Sequence, residues 1–389
     1  MPATSASPRS MAGTLARVEA TRRATFLSFQ PPALDEQEIA AVAETLRSGW
    51  LTTGPRTAEL EQRMRGYLDA EHVLAVSSCT AALHLSLVAL GVGPGDEVIT
   101  TPLTWPATAN VILHCGATPV FADVRDDTLN VDPDRVRELV TASTKAVVPV
   151  DLYGQPADLD PLLELGLPLV EDAAHAAEAV YRGRKIGSVA DVTCFSLYAT
   201  KNIAAGEGGL IATDRAEIAA AVDDLRVMRR GHGSLYDIAV PGYKANLSDV
   251  LSSIALVQLD KVERHAEKRR RHVALYDEGL AGLDGVTPVA RDPRDVHANH
   301  LYVVRIAFAD RDEVQRALAD ENIGTSIHFL PVHRLSAYRD RLECTPRPLP
   351  VAEQAGREVL SLPLSPAHSD DDVRDAIAAF RRVHERLSG

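Results

Sequence analysis

Short apolar runs and segments with helical spacing alternate along most of this chain. Ile39, Val42 and Leu46 recur at intervals of three and four, so residues 34–48 predict an amphipathic helix that begins after Asp35. The apolar runs predict strands at 73–76, 97–101, 118–122, 146–150, 167–170, 192–195 and 210–213. Helical segments separate most of these strands, and this alternation predicts an α/β fold with a mostly parallel sheet covered on both faces.

The pattern changes towards the C-terminus. A long helical segment over 248–280 precedes the change, and an arginine run at 269–271 predicts a solvated face on it. Strands and helices are sparser afterwards, so we predict a large domain over 26–283 and a smaller α+β domain over 284–389. Residues 1–25 predict a disordered tail, because they are rich in Ser, Ala, Thr and Arg and lack the apolar core of a secretory signal. An organellar transit peptide is the less favoured alternative.

Two polar residues near strand ends suggest chemistry. Asp172 follows the apolar run at 167–170, and Lys201 lies five residues after Ser196 in a loop that continues into three glycines. A pyridoxal phosphate (PLP) site needs a lysine for the Schiff base and an aspartate for the pyridinium nitrogen. Taken alone, Asp172 is as well explained as the N-cap of a helix over 173–179, and Lys201 as a surface lysine.

Two further segments fit a bound cofactor. The strand at 73–76 runs into small hydroxyl residues at 77–82, where a helix begins, and a helix N-terminus attracts anions such as phosphate. An ordinary N-cap is the alternative. Trp105 lies just past the end of another strand, where ligands of α/β sheets collect, and could stack on an aromatic ring. On its own it is better explained as a packing residue.

Composition narrows the class of protein. The chain has 389 residues, 46% of them hydrophobic, which is enough for two or three structural units. A formal net charge of -13 argues against a nucleic-acid partner, and no apolar run reaches the roughly 20 residues that span a bilayer. Four cysteines without paired spacing predict a reduced, cytoplasmic protein with no metal site.

Motifs in a particular order carry a resemblance to a known family. They read TTGP, SSCTAALHLSLVALGVGPGDEVI, EDAAHA, FSLYATKN, EGG and PGYKANLSD. In this order and spacing the chain resembles the DegT/DnrJ/EryC1/StrS family of PLP-dependent sugar aminotransferases, over nearly its whole length. It is most similar to the branch that aminates C4 of UDP- or dTDP-linked 4-keto sugars, which includes the enzymes that form UDP-4-amino-4-deoxy-arabinose.

The resemblance implies a fold type I enzyme, a homodimer with shared active sites, PLP as cofactor and glutamate as amino donor. By motif position, Lys201 would form the Schiff base and Asp172 would pair with the ring nitrogen. Trp105 would stack on the ring, and His175 would lie on its hydroxyl side. The other cofactor-binding positions would be Cys79, Thr80, Ala81, Ser196, Lys244 and Asn246, with Thr80, Ala81 and Ser196 at the phosphate.

The sequence also departs from the family pattern. Cys79 stands where Gly is usual, Lys244 where many members have Asn, and Asn246 where many have Arg. The last two lie in a loop that would reach in from the neighbouring subunit. These changes leave the substrate open: a 4-keto sugar nucleotide is favoured, and a 3-keto sugar nucleotide or an aminocyclitol precursor is the alternative.

Two rival functions are less favoured. PLP-dependent sugar dehydratases of this fold replace the lysine with histidine, whereas Lys201 is present. A PLP-binding transcription regulator would need a basic DNA-reading helix-turn-helix, which neither the charge nor the N-terminus of this chain indicates.

Overall fold

The computed structural model describes residues 22–228, 238 and 240–389, so most of the predicted tail at 1–25 lies outside the described residues. Its strands are β1 (His72–Val76), β2 (Glu97–Thr100), β3 (Thr118–Phe121), β4 (Thr144–Val148), β5 (Val170–Asp172), β6 (Val180–Tyr181), β7 (Arg184–Lys185), β8 (Val192–Ser196), β9 (Gly209–Thr213), β10 (Val286–Pro288), β11 (Tyr302–Ile306) and β12 (Val359–Leu362). Its helices are α1 (Glu36–Ser48), α2 (Pro55–Leu68), α3 (Cys79–Ala89), α4 (Ala107–His114), α5 (Pro133–Leu139), α6 (Leu159–Leu163), α7 (Ala216–Val227), α8 (Asp249–Leu280), α9 (Arg311–Asp320), α10 (Pro350–Glu358) and α11 (Asp370–Leu387).

Seven strands form the main sheet. Strand β2 pairs in parallel with β3 and β4, β5 pairs in parallel with β8, and β9 lies antiparallel between β8 and β1. Parallel bridges from Val147 to Leu169 and from Val150 to Asp172 join the two halves in the order β3-β2-β4-β5-β8-β9-β1. Every strand except β9 runs in the same direction. The predicted α/β class with a mostly parallel sheet is therefore confirmed.

Helices cover both faces of this sheet. One hydrophobic core lies between the sheet and helices α2 and α8, and a second lies between the sheet and helices α3, α4 and α7. Helix α1 begins as predicted: the Asp35 side chain accepts from the Gln37 amide, and Glu38 reaches back to the Asp35 amide to complete a capping box. These packed helices hold the strand ends in fixed positions.

The C-terminal region has a sheet of its own. Strands β10, β11 and β12 pair antiparallel, and α9, α11 and the end of α8 pack on them around a separate core. The boundary at 283/284 stays a prediction, because α8 packs both on α1 and on α11. Within the described residues, no helix combines the length and hydrophobicity needed to cross a bilayer.

Two local expectations are wrong. Residues 173–179 form successive turns instead of a helix, so Asp172 caps no helix; its Oδ1 accepts from the Ala174 amide two residues on, which favours a turn. The arginine run on α8 is also not uniformly solvated. Arg270 and Arg271 are exposed, whereas Arg269 is buried in an ion pair with Glu178, because it faces the main sheet.

Candidate active site

The predicted site residues collect at one edge of the main sheet. Strands β1, β5 and β8 all end there, because they run in the same direction, and β9 begins there. Asp172 is the last residue of β5 and Ser196 the last of β8. The carboxyl edge of an α/β sheet is where ligands of such folds bind. The fold therefore brings together residues that are more than 100 positions apart.

Asp172 is a buried carboxylate held by hydrogen bonds. The Thr108 hydroxyl donates to Oδ2 at 2.8 Å, and the Ala174 amide donates to Oδ1 at 3.2 Å. The Cys79 thiol lies 3.9 Å from Oδ1. Burial raises the pKa of Asp172, while Thr108, Ala174 and the nearby Lys201 act in the opposite direction. A positive partner at this carboxylate would favour its ionised form.

Lys201 lies in a tight loop that joins β8 to β9. Its amide donates to the Tyr198 carbonyl at 2.8 Å, and the Ala205 amide donates to the Leu197 carbonyl at 2.8 Å. Within the described part of the chain its ammonium has no hydrogen-bond or ion-pair partner. Burial lowers the pKa of Lys201 to about 8, against the attraction of Cys79 and Asp172. A neutral, nucleophilic amine is therefore available close to neutral pH.

The N-terminus of α3 forms an anion cradle beside these two groups. Ser78 caps the helix by accepting from the Ala81 amide at 3.1 Å, and among the described residues the amides of Cys79 and Thr80 have no acceptor. Gly209 lies against this turn: a Cβ on it would come within 2.5 Å of the Ser78 carbonyl. Thr80 and Ala81 both lie in this first turn, although the Ala81 amide is already bonded to Ser78.

Ser196 completes that side of the site. It pairs with Gly209 across β8 and β9, and Gly209 lies against the first turn of α3, so Ser196 lies beside the cradle. The Tyr198 amide donates to its Oγ at 3.3 Å. A helix N-terminus with a hydroxyl beside it suits a phosphate.

Trp105 lies where a ring could stack. It precedes α4, whose Thr108 holds Asp172, and its side chain is 64% exposed. Its nearest aromatic neighbour is Phe329, with ring centroids 6.3 Å apart and an oblique angle. A large, exposed aromatic face near Asp172 is thus available for contact with a ligand or another chain.

His175 is buried and neutral. Its Nδ1 accepts from the Tyr153 amide at 3.3 Å, so the neutral ring carries its proton on Nε2. The ring stacks on His300 at 4.4 Å. Burial holds the pKa of His175 well below its ordinary value, and the nearby Lys201 lowers it further. His175 can therefore donate one hydrogen bond without carrying charge.

A buried network behind the lysine was not predicted from the sequence. Asn202 donates to Glu178 Oε2 at 2.7 Å and to the Ala298 carbonyl at 3.0 Å, and its Oδ1 contacts His300 Nδ1 at 3.0 Å. Glu178 in turn pairs with Arg269. Asn202 follows Lys201 directly in the ATKN motif, and that adjacency was the only signal for it. The network fixes the loop that carries the lysine.

Lys244 and Asn246 also lie at the cradle, in the same chain. Asn246 bridges to Val76 at the end of β1, and its Nδ2 donates to Thr53 Oγ1 at 2.5 Å. Lys244 contacts the Asn246 side chain. A contribution of this loop to a partner's site stays a prediction.

The donor set fits PLP. A partly neutral lysine, a buried carboxylate, a pair of open helix amides and a hydroxyl are available for the aldehyde, the ring nitrogen and the phosphate. His175 and Trp105 are the further candidates for the ring. Lys201 and Asp172 are close enough to influence each other's pKa electrostatically.

Known proteins are similar to this chain over most of its length. A sequence model of the DegT/DnrJ/EryC1/StrS aminotransferase family matches residues 32–381. The spore coat polysaccharide biosynthesis protein SpsC of Bacillus subtilis is 43% identical over 385 residues, covering 93% of this chain and 98% of SpsC.

Solved structures are similar as well. Spr1654 of Streptococcus pneumoniae, described as a sugar aminotransferase, is 35% identical in its PLP-form, with a TM-score of 0.88 over 93% of this chain and 99% of its own. The structure of DesI in the presence of its TDP-sugar product is 34% identical, with a TM-score of 0.86 over 94% of each chain.

Proposed function

The chain belongs to the DegT/DnrJ/EryC1/StrS aminotransferase family, and on that premise we propose that it moves an amino group from glutamate to a keto carbon of a nucleotide-linked sugar. C4 of a 4-keto-deoxy sugar is the favoured position. Proteins of this family are PLP-dependent aminotransferases, and PLP is the cofactor. A 3-keto sugar nucleotide or an aminocyclitol precursor is the alternative substrate.

The chain's own residues supply binding and proton handling. When bound, PLP supplies the electron sink for amino transfer. Asp172, held by Thr108, keeps a proton on the ring nitrogen. With the cofactor bound, the Lys201 amine, with a pKa of about 8, would accept a proton from the carbon that loses the amino group and donate one to the carbon that receives it. The cradle at Cys79 and Thr80 binds the phosphate.

Other residues orient the ring. His175 offers a neutral Nε2–H donor, which suits the phenolic oxygen of the PLP ring. Trp105 offers an exposed face for stacking. The single observation that carries the proposal is the position of Lys201 and Asp172 beside the α3 cradle. PLP would supply an aldehyde for the lysine, a protonated ring nitrogen for the aspartate and a phosphate for the cradle.

The substrate and the assembly are proposed on separate grounds. The DesI structure with a TDP-sugar product supports a nucleotide sugar, and the order of the motifs supports C4. A homodimer is supported by exposed apolar side chains on and after α1, at Ile39, Leu46, Trp50 and Leu51, which a second copy would cover. We place the protein in the cytoplasm, as the scattered cysteines suggest.

Half-reactions test the proposal. Protein loaded with PLP is mixed with glutamate, and both the visible spectrum and the release of 2-oxoglutarate are followed. The amino form is then offered a panel of 4-keto and 3-keto sugar nucleotides and keto cyclitols. We expect a spectral change with glutamate and its reversal by a 4-keto sugar nucleotide. Reversal by a cyclitol alone would refute the substrate class, and no response to any amino donor would refute the activity.

A further inference from the structure

Two buried acids lie directly behind Asp172. Consecutive residues of a strand point to opposite faces, so Glu171 points away from the site while Asp172 points into it. Asp151 follows β4, and its amide donates to the Asp172 carbonyl at 3.0 Å. The Asp172 amide donates to the Pro149 carbonyl at 2.9 Å. Backbone hydrogen bonds therefore hold the segment that carries Asp151 directly against Asp172, the residue that follows Glu171.

Within the described part of the chain, each of the two acids has one carboxyl oxygen that accepts a hydrogen bond and one that does not. Asp151 Oδ1 accepts from the Ala157 amide at 2.8 Å, and Glu171 Oε2 accepts from the Thr193 hydroxyl at 2.8 Å. Asp151 Oδ2 and Glu171 Oε1 are buried, and no donor among the described residues reaches them. Both side chains are fully buried, and they interact with each other through their carboxyl groups. Ionised carboxyls only accept, so two ionised acids cannot satisfy each other.

One proton resolves this arrangement. A proton between Asp151 and Glu171 gives each leftover oxygen a partner and forms a strong hydrogen bond between a carboxyl and a carboxylate. No cation contacts either acid within the described residues. The other titratable groups acting on the pair are Asp172 and Cys194. Burial raises the pKa of both acids, which is the direction that retention of a proton requires.

We propose that Asp151 and Glu171 share one proton and carry one negative charge behind Asp172, and that this charge helps Asp172 hold protons on bound PLP. The pair also links β5 to the segment after β4 next to Asp172, which positions that carboxylate. Both are thus positioning residues, which act through Asp172. The proposal rests on the binding of PLP and is independent of which sugar is aminated.

Infrared spectroscopy of the cofactor-free protein tests the shared proton without any activity. At neutral pH we expect a protonated-carboxyl band that Glu171→Gln and Asp151→Asn each remove, because the amide then donates where the proton did. Glu164→Gln, an exposed glutamate, serves as the control and leaves the band unchanged. If the band persists in both amide variants, or if the wild-type protein protonates its carboxyls only in acid, the proposal is wrong. Protonation of the wild-type carboxyls only in acid would fit two ionised acids bridged by a water. This measurement uses only the wild-type protein, so it can be made even if the variants fail to fold.

The charge is tested on the PLP-loaded protein. Each single variant keeps one ionised acid, whereas Asp151→Asn with Glu171→Gln removes the charge. We expect the pH at which the visible absorption of bound PLP changes to fall by about one unit in the double variant and to stay unchanged in the single variants and in Glu164→Gln. Equal transition pH values in wild type and double variant would overturn the electrostatic role. Because the measurement needs no substrate, its failure is separable from failure of the proposed function.

Discussion

The active-site edge differs from a cavity of about 350 Å³ elsewhere on the molecule in whether its charged side chains have ion-pair partners. That cavity is lined by polar residues that include Arg125, Asp127, Asp292 and Arg294. Its arginines are paired with neighbouring aspartates: both Arg125–Asp127 contacts are 3.1 Å, and Arg294 donates to both oxygens of Asp292. The hydrogen bond from Arg294 lowers the pKa of Asp292 to about 2. Because these side chains already neutralise each other, they offer little unpaired charge with which to bind a ligand.

At the sheet edge the same kinds of groups lack partners. Within the described residues, the Lys201 amine has no ion pair, and the amides of Cys79 and Thr80 have no acceptor. Burial shifts the pKa of Lys201 downwards instead of an ion pair shifting it upwards. Unpaired polar groups next to one another therefore distinguish the sheet edge from this cavity.

The largest effect should come from Asp172→Asn. An amide cannot hold a positive charge on the ring nitrogen, so we expect turnover to fall by roughly 10²–10⁴-fold. The phosphate contacts at α3 are untouched, so bound PLP should remain visible in the absorption spectrum. Steady-state turnover and PLP content are measured on the same preparation. Near-normal turnover would show that Asp172 is only a structural acid.

The next effect is a pH dependence of cofactor loading. Only the neutral amine of Lys201 can attack the PLP aldehyde, and below about pH 8 this amine is increasingly protonated. We expect the rate of PLP incorporation into cofactor-free protein to rise about tenfold per pH unit up to about pH 8 and then to level off. Stopped-flow absorbance checks this. A rate still rising towards the ordinary lysine pKa would contradict the effect of burial.

Thr108→Val should have a smaller effect. It removes the 2.8 Å hydrogen bond to Asp172 and raises the pKa of that carboxyl further. Hydrogen bonds to charged groups are worth about 1.5–3 kcal/mol, so turnover should fall by roughly tenfold to a hundredfold. Thr108→Ser keeps the hydroxyl and should retain most activity. A loss in Thr108→Ser as large as that in Thr108→Val would show that the methyl group matters as much as the hydroxyl, and would contradict a role for the hydrogen bond alone.

The smallest effect should come from the paired cavity. Asp292→Asn breaks an ion pair near the surface, and such pairs contribute about 0–1 kcal/mol. We expect unchanged turnover and a thermal unfolding midpoint close to that of wild type. A loss of activity comparable to that of Thr108→Val would show that this cavity contributes to catalysis, and would contradict the distinction between the two regions.

The sequence predicted what depends on short-range pattern. Strand ends and helix starts follow from apolar runs and capping residues, so Asp172, Ser196 and the α3 cradle could be found, and the order of the motifs supplied Lys201. The buried network could not be found, because His300 and Arg269 reach Asn202 and Glu178 only through tertiary packing. The expected helix at 173–179 failed for a similar reason: backbone bonds such as Ala173 to the Cys194 carbonyl outweigh the helix propensity of an alanine-rich segment.

The central claim is that Lys201 is the residue that holds PLP. Borohydride reduction of the PLP-loaded protein makes the bond between cofactor and lysine permanent, and mass spectrometry of the digested protein locates it. We predict that the label lies on the peptide containing Lys201, that Lys201→Ala remains unlabelled, and that Lys145→Ala, which removes an exposed lysine, is labelled like wild type. A label on any other lysine, or an equally labelled Lys201→Ala variant, would contradict the claim.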